Sequence, residues 1–266
     1  MLREYLKSIA DAIRTKLGST DTINAQNFPS KVNEVYDKGR TDEWSDFWDV
    51  FQQNGTRTNY NYAFHQDVGN PGTEQIWTDK TFKPKYDFKL TSANRAFLGL
   101  SVTDFVKCLV DMGIEFDTSQ CTNTNSIFSK NSTWRLPTLD LSVSTSISGL
   151  VANCYKLEKI EKIIWGEKIS PNSTTNAFSG CPFLAEFESE GTLAVSVSFA
   201  SCPLTVETIK GLILCLKNYA GTSNAGAYTL TLNDECKTAM TNLGAIPEFN
   251  NKTYDEYLAD IGWRLE

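Results

Sequence analysis

The sequence has few of the residues that build catalytic and metal centres, and it has no long apolar run. His65 is its single histidine, and the motifs GxSxG, HExxH and GxGxxG and the phosphate-binding loop are absent. No window comes near the ~18 consecutive apolar residues of a membrane-spanning helix. Lys and Arg form no cluster, and the net charge is −7, which argues against nucleic acid or an anionic membrane as the main partner. We therefore expect no cofactor, no metal, no nucleic acid and no membrane insertion.

The cysteines and the N-terminal segment both indicate a chain made in the cytoplasm. The seven cysteines are odd in number, widely spaced and free of any CxxC pair, unlike a disulfide framework or a zinc site. Buried thiols in a reducing compartment explain this usage better. The first 18 residues are charged throughout and lack the apolar core of a secretion signal.

Local patterns divide the chain into four parts. Residues 1–38 form an N-terminal helical module, in which apolar residues recur at three- and four-residue spacing. Residues 39–114 form an aromatic-rich connector with helices, including one predicted from Val102 to Met112. Residues 115–204 contain repeats, and residues 205–266 form a C-terminal cap of helices and short strands.

The repeats share an apolar residue, an asparagine or cysteine three positions later, and usually a leucine after three more. The apolar positions, separated by 23, 27 and 21 residues, are Phe128, Val151, Phe178 and Phe199. The second column contains Asn131, Cys154, Cys181 and Cys202. The third column contains Trp134, Leu157 and Leu184, with Leu204 one residue early. A period of about 20–29 residues with one short strand per unit predicts a leucine-rich solenoid.

The residue types in these columns have a physical explanation. No unit can bury its apolar face alone, so neighbouring units must stack their apolar columns into a common core. At the corner beside the turn, a cysteine fills space as a small hydrophobe and an asparagine forms hydrogen bonds. We therefore assign Cys154, Cys181 and Cys202 to the architecture and not to redox or metal chemistry.

The repeat region resembles a known family. The stretch AFSGCPFLAEF, Ala177–Phe187, resembles the BspA-like class of leucine-rich repeats, whose units carry the pattern AF..C..L..I. Many such proteins from gut Firmicutes and their phages end in a TLTL strand, a helix and a GW pair, similar to Thr229–Leu232 and Gly262-Trp263 here. The resemblance implies an α+β repeat fold: a short BspA-like solenoid with an N-terminal helical module and a C-terminal helix–strand cap.

The front half resembles phage modules. The stretch Ser8–Val32 resembles an N-terminal module of structural and tail-associated proteins of Firmicutes prophages. The stretches Phe47–Phe64 and Trp77–Asp87 resemble a segment that recurs between that module and BspA-like repeats. These resemblances imply a phage or prophage origin.

Two polar features are candidates for chemistry, and both have a simpler explanation. Asp42, Glu43, Asp46 and Asp49 lie beside tryptophans, as paired carboxylates of a glycosidase would. A helix start and a solvated helix face explain the same carboxylates, and we favour that interpretation. His65, alone in an aromatic loop, is expected to be a surface or hydrogen-bonding residue.

The alternating aromatics Tyr60, Tyr62 and Phe64 allow two interpretations. They could line a carbohydrate-binding surface, or they could belong to a half-buried strand. Alternation is the ordinary pattern of such a strand, and we favour it.

The expected function is that of a non-enzymatic interaction protein, a phage or prophage structural or tail-associated component. Its repeat face would bind a protein or a cell-surface glycan, and its helical module would contact other virion proteins or copies of itself. The expected location is the virion. The alternatives are a BspA-like surface adhesin of a bacterium and an intracellular protein that binds a host factor, located at the cell surface or in the cytoplasm.

Overall fold

The fold is known from a computed structural model that describes residues 9–11, 13–14, 48–49, 51–64, 77–79 and 82–266. In the predicted N-terminal helical module, Ile9 and Ile13 are helical and buried. Apart from residues 9–11 and 13–14, the N-terminal helical module lies outside the described residues, and so do His65 and the carboxylates of Asp42, Glu43 and Asp46.

The elements whose bounds the structure gives lie between Gln53 and Leu265. The strands are β1 (Phe88–Lys89), β2 (Phe116–Asp117), β3 (Arg135–Leu136), β4 (Leu139–Asp140), β5 (Lys159–Trp165), β6 (Glu186–Gly191), β7 (Val197–Phe199), β8 (Tyr228–Leu232) and β9 (Trp263–Leu265). The helices are α1 (Phe105–Met112), α2 (Val206–Leu214), α3 (Asp234–Asn242) and α4 (Tyr254–Asp260). Short 3-10 helices span Gln53–Gly55 and Pro247–Phe249.

The strands form three small sheets in which every strand pair is parallel. β1 pairs with β2, and β5 lies between β3 and β4 on one side and β6 on the other. The third sheet has the order β7-β8-β9. The outer edge of β6 is covered by α2, whose Thr208 Oγ1 accepts a hydrogen bond from Phe187 N at 3.4 Å. A covered edge does not offer its backbone to another chain.

Turns also stack on one another, at residues 61–64, 94–99, 125–130, 148–153 and 175–180. We call these the stacked turns. N–H groups of each turn donate to carbonyls of the next, as in the pairs Phe64 N–Ala96 O at 2.7 Å, Phe97 N–Ile127 O at 2.8 Å, Phe128 N–Leu150 O at 3.0 Å and Val151 N–Ala177 O at 2.9 Å. Backbone groups that would otherwise be buried without partners are paired in this way.

Buried rings continue the same stacking inside the protein. The rings of Phe64 and Phe97 are stacked with centroids 5.0 Å apart, and those of Phe97 and Phe128 with centroids 5.2 Å apart. Near the C-terminal sheet, Phe178 and Phe199 stack at 4.4 Å. Such aromatic pairs contribute about 0.5–1.5 kcal/mol beyond the burial of their area.

Side chains at the helix ends explain where the helices start and stop. Asp104 caps α1 by accepting from Lys107 N, and Gly113 ends it in the left-handed conformation, at φ 64°. Thr205 caps α2 in the same way, through Thr208 N. Thr253 begins α4 with a reciprocal capping box.

The expected fold class, a short BspA-like leucine-rich-repeat solenoid with N- and C-terminal modules, is wrong. The described chain has a mixed helix-and-strand fold with small parallel sheets, in which no solenoid is found. The physical reason lies in the strands: most are two or three residues long and fall into separate sheets of two, four and three strands. No pair of these strands joins one sheet to another, so one continuous sheet does not form.

Of three predictions for individual elements, two are confirmed and one is wrong. The helix predicted at Val102–Met112 is found at Phe105–Met112, and TLTL falls within β8. The strand predicted around Tyr60–Phe64 is wrong, because residues 61–64 form a turn. Among the described residues, no helix combines the length and apolar character needed to cross a bilayer.

We predict that Gly191→Ala destabilises the protein strongly. Gly191 ends β6 at φ +79°, and a Cβ there would meet the Trp165 carbonyl oxygen at 2.3 Å. The control is Gly221→Ala, since Gly221 has φ +70° but a Cβ there would meet nothing within 4 Å. Both variants carry the strain of a left-handed residue, so the contact should add at least about 2 kcal/mol to the loss for Gly191→Ala. Urea unfolding of both variants measures it, and equal losses would contradict the prediction.

Candidate functional site

The predicted asparagine-or-cysteine column is buried and makes one repeated contact. Asn131 donates through Nδ2 to the carbonyl of Phe97 at 3.3 Å. The thiols of Cys154 and Cys181 donate to Phe128 O and Val151 O, both at 3.0 Å, and Cys202 donates to Phe178 O at 3.4 Å. Each acceptor is the apolar position of the preceding segment. The column therefore needs a small side chain with a donor, which asparagine and cysteine share.

Burial disfavours the thiolate of three of the cysteines, Cys108, Cys121 and Cys154, which makes them poor nucleophiles. Burial raises the pKa of Cys154 well above its ordinary value, and it raises the pKa of both Cys108 and Cys121 to about 11. Among the described residues, no group of three or more histidine, cysteine, aspartate or glutamate side chains is arranged to hold a metal.

The apolar and leucine columns lie in the core, with one exception. The fully buried members are Phe128, Val151, Leu157, Phe178, Leu184 and Phe199. Trp134, aligned with the leucines in the sequence, is instead 36% exposed. Its carbonyl accepts from Glu158 N at 2.7 Å, and Arg135 pairs with Lys159, so Trp134 lies level with Glu158 and not with Leu157. The first repeat unit is therefore one residue shorter than the second between its column residue, Asn131, and its strand.

Asp49 has a structural role in the described part of the acidic run. Its carboxylate lies 2.8 Å from Lys85 Nζ and accepts a hydrogen bond from the Tyr86 hydroxyl. The hydrogen bonds from Lys85 and then Tyr86 lower its pKa from the ordinary value. The buried amide of Gln52 holds the same segment, since Oε1 accepts from Lys85 N at 2.8 Å and Nε2 donates to Tyr86 O at 2.7 Å. Asp49 and Gln52 therefore both bind the segment of Lys85 and Tyr86.

The aromatics considered for carbohydrate binding divide between core and surface. Tyr60 and Phe64 are fully buried, whereas Tyr62 is 52% exposed with φ 58°. The Arg95 guanidinium lies 5.7 Å from the Tyr62 ring centroid. A single exposed ring with a cation above it does not make a row of stacking platforms.

A different set of exposed aromatics occurs where successive segments leave the stacked turns and enter the sheet. Tyr155 is 62% exposed and Phe183 58% exposed, and both follow a buried column cysteine within two residues. With Trp134 they form what we call the aromatic corner. The segments are held together by backbone bonds, Glu158 N to Trp134 O at 2.7 Å and Ala185 N to Glu158 O at 3.0 Å. The sequence columns gave no signal for this corner, because two of its three residues lie between columns.

Charged groups border the aromatic corner. The Arg135 guanidinium lies 4.8 Å from the Trp134 ring centroid and donates to Asp104 at 2.9 Å. This cation–π contact and ion pair hold the Trp134 side of the corner in place.

The neighbouring outer face of the sheet is acidic. In β6 the glutamates Glu186, Glu188 and Glu190 alternate with buried Phe187, so their side chains share the exposed face. Lys162 lies 2.6 Å from Glu190 and 3.4 Å from Glu188. Lys162 therefore forms ion pairs with two carboxylates, and β6 keeps a net negative charge.

We predict that Asp49→Asn lowers stability at neutral pH by a small amount that disappears in acid. The folded pKa of Asp49 is depressed, so its stabilisation is present above the unfolded pKa of about 3.9 and is lost as the pH falls through the lower folded value. The urea midpoint of the variant should lie below that of the wild type at pH 7 and converge with it below about pH 4. A difference that persists in acid would show that packing, and not the charge, is responsible.

No protein family, curated protein or solved structure matches this chain.

Proposed function

We propose that the protein is a non-enzymatic interaction protein, a structural or tail-associated component of a phage or prophage that binds a host-surface protein through the aromatic corner. The observation that carries the binding role is the exposure of Trp134, Tyr155 and Phe183 on three successive segments of a tightly hydrogen-bonded frame. The phage assignment rests on the resemblance of Ser8–Val32 to prophage modules.

The composition of the corner supports a protein partner. Tryptophan, tyrosine and arginine are enriched among the residues that dominate binding energy at protein interfaces, where they are surrounded by a polar rim. Here Trp134 and Tyr155 are accompanied by Arg135, with the acidic row of β6 at one side. An aromatic-centred surface with a negative border fits a partner with apolar groups and nearby lysines or arginines.

The rigidity of the frame also supports binding. The exposed rings are attached to segments whose neighbouring residues are buried: Cys154 precedes Tyr155, and Leu184 follows Phe183. Because the backbone at these points is fixed by packing and hydrogen bonds, little ordering is needed on association. A preorganised surface therefore keeps more of its contact energy as affinity.

The phage assignment predicts that the protein is part of the particle. Particles released from the induced source strain should carry immunogold label at the tail tip or baseplate when probed with antibody to this chain. Particles from a strain that lacks the coding sequence are the control. Clean particles with label on the cell surface would indicate the adhesin, and label inside the cells would indicate the intracellular binder; either result contradicts the assignment.

We predict that the double variant Tyr155→Ala/Phe183→Ala binds intact cells of the source strain at least about tenfold more weakly than the wild type, as expected when two anchor residues are truncated. Fluorescently labelled protein and a cell-binding isotherm measure the change. The matched control is Leu214→Ala/Leu243→Ala, because these leucines are also exposed, at 49% and 46%, but lie outside the aromatic corner.

Pretreatment of the cells identifies the class of partner. Trypsin should abolish binding of the wild-type protein, and periodate oxidation of surface sugars should leave it unchanged. Loss after periodate alone would assign a glycan partner and contradict the protein partner. Equal binding by the corner variant and its control would contradict the role of the corner itself.

A further inference from the structure

Uncharged polar residues recur at two positions of every segment that carries a stacked turn. Each stacked turn begins with an asparagine, a serine or a threonine, and the residue two positions before it is an asparagine or a serine. The turns begin with Asn61, Asn94, Asn125, Ser148 and Thr175. The residues two positions earlier are Asn59, Ser92, Asn123, Ser146 and Ser173. We call these ten residues the polar ladder, and all of them are exposed or half-buried.

Backbone hydrogen bonds keep the polar ladder in register from one segment to the next. At one end Asn59 pairs with Ser92 in parallel, and at the other end Gly149 N donates to Thr175 O at 2.9 Å. Hydrogen-bonded parallel segments lie about 4.8 Å apart. The ladder therefore presents similar polar groups at about this interval along five segments.

Hydrogen bonds also fix the orientation of the ladder asparagines. Asn59 Oδ1 accepts from Asn61 N at 3.1 Å, and Asn123 Oδ1 accepts from Asn125 N at 3.1 Å. Asn61 Oδ1 accepts from Asn94 N at 2.7 Å, so this bond joins two segments. An asparagine amide has one acceptor oxygen and two N–H donors. Because the oxygens are bound within the protein, the N–H donors are the groups that these side chains offer to a ligand.

The polar ladder contains no charged residue over its five segments. The column on its N-terminal side is also uncharged and exposed, and it consists of Thr58, Thr91, Thr122, Thr145 and Ser170. Charged residues make up 21% of the chain, so fifteen positions without one favour a neutral ligand over an ionic one. A hydroxyl group both donates and accepts, so a ligand rich in hydroxyls complements the hydroxyls and amide donors of this surface.

We propose that the polar ladder binds an extended, neutral β-1,4-linked polysaccharide, with one sugar ring beside each segment. The rings of a β-1,4-linked chain follow one another in a nearly straight line, at an interval close to the spacing of the segments. An α-1,4-linked chain of the same sugar coils and cannot keep its rings beside successive segments. The linkage of the sugars is therefore what the ladder distinguishes.

The polar ladder is a weak site and shares no residue with the aromatic corner. It contains no aromatic residue, so binding depends on hydrogen bonds at a surface open to water, and each of these contributes little. We expect dissociation constants of about 1 mM. Binding this weak is not detected in a cell-binding isotherm at micromolar protein, so the glycan site neither rests on the proposed function nor affects its test.

The test titrates the isotope-labelled full chain with cellohexaose, a soluble β-1,4-linked glucose oligomer, and follows the NMR chemical shifts. Maltohexaose, the α-1,4-linked glucose oligomer of the same length, is the matched control and should bind at least about tenfold more weakly. The affinity should rise from cellotriose to cellopentaose and then level off, because the ladder spans five segments.

A variant of one ladder residue locates the site. In Asn123→Asp the carboxylate still accepts from Asn125 N, but the amide donors are lost, so we expect cellohexaose to bind at least about threefold more weakly. The matched control is Asn218→Asp, which should bind as the wild type does. Asn218 is also exposed and accepts from Ala220 N at 2.9 Å, but it lies outside the ladder.

The variant of the aromatic corner, Tyr155→Ala/Phe183→Ala, should also bind cellohexaose with unchanged affinity. Loss of binding in that variant would place the sugar at the corner and overturn the proposal. The absence of shift changes with cellohexaose up to about 10 mM, or equal binding of the two glucose oligomers, would overturn it without any variant. Equal affinities of Asn123→Asp and Asn218→Asp would show that the ladder is not the site.

Discussion

The hydrogen bonds between stacked turns are the interaction on which the rest of the structure depends. The N–H groups of one turn meet the carbonyls of the next, from Phe64 and Ala96 to Asn153 and Ser179, at distances of 2.7–3.0 Å for most pairs. Other N–H groups of the turns bond within their own segment, as Ala152 N does to Gly149 O at 3.1 Å. The two kinds of bond together let the backbone enter the interior with its polar groups paired. The small parallel sheets extend the same pairing on the other side of each segment.

Side-chain types follow from this backbone arrangement. Turns stacked at this spacing bring equivalent side chains into contact. Aromatic rings at these positions stack on one another, as the rings of Phe97 and Phe128 do. The turns also contain left-handed residues at equivalent places, such as Asn153 and Gly180 with φ of 59° and 69°. At Gly180 a Cβ would come within 2.5 Å of Asn153 Oδ1, so the glycine is required by the neighbouring turn as well as by its own backbone.

Much of the core could be predicted from residue spacing, but the fold class could not. The columns that contain Phe128, Cys154 and Phe178 can be recognised in the sequence because their spacing is nearly constant, and these three residues are buried. Two earlier members of the stack, Phe64 and Phe97, were missed because the steps between phenylalanines there are 33 and 31 residues. The insertion of α1 accounts for part of the longer spacing. Repeated spacing thus indicates local stacking. The fold class is decided by the lengths of the strands and by their grouping into sheets. Both depend on contacts between segments that are distant in the sequence.

The aromatic corner could not be predicted for a related reason. A spacing pattern detects residues whose role repeats, and Trp134, Tyr155 and Phe183 do not occupy one repeated position. The backbone leaves each of them exposed for its own reason: Trp134 because its unit is one residue short, and Tyr155 and Phe183 because they follow a buried cysteine at the turn into the strand. In a frame whose repeated core positions are taken up by packing, the irregular positions are free to contact a partner. Under the proposed function, the departures from the pattern identify the binding residues, which the repeated positions do not.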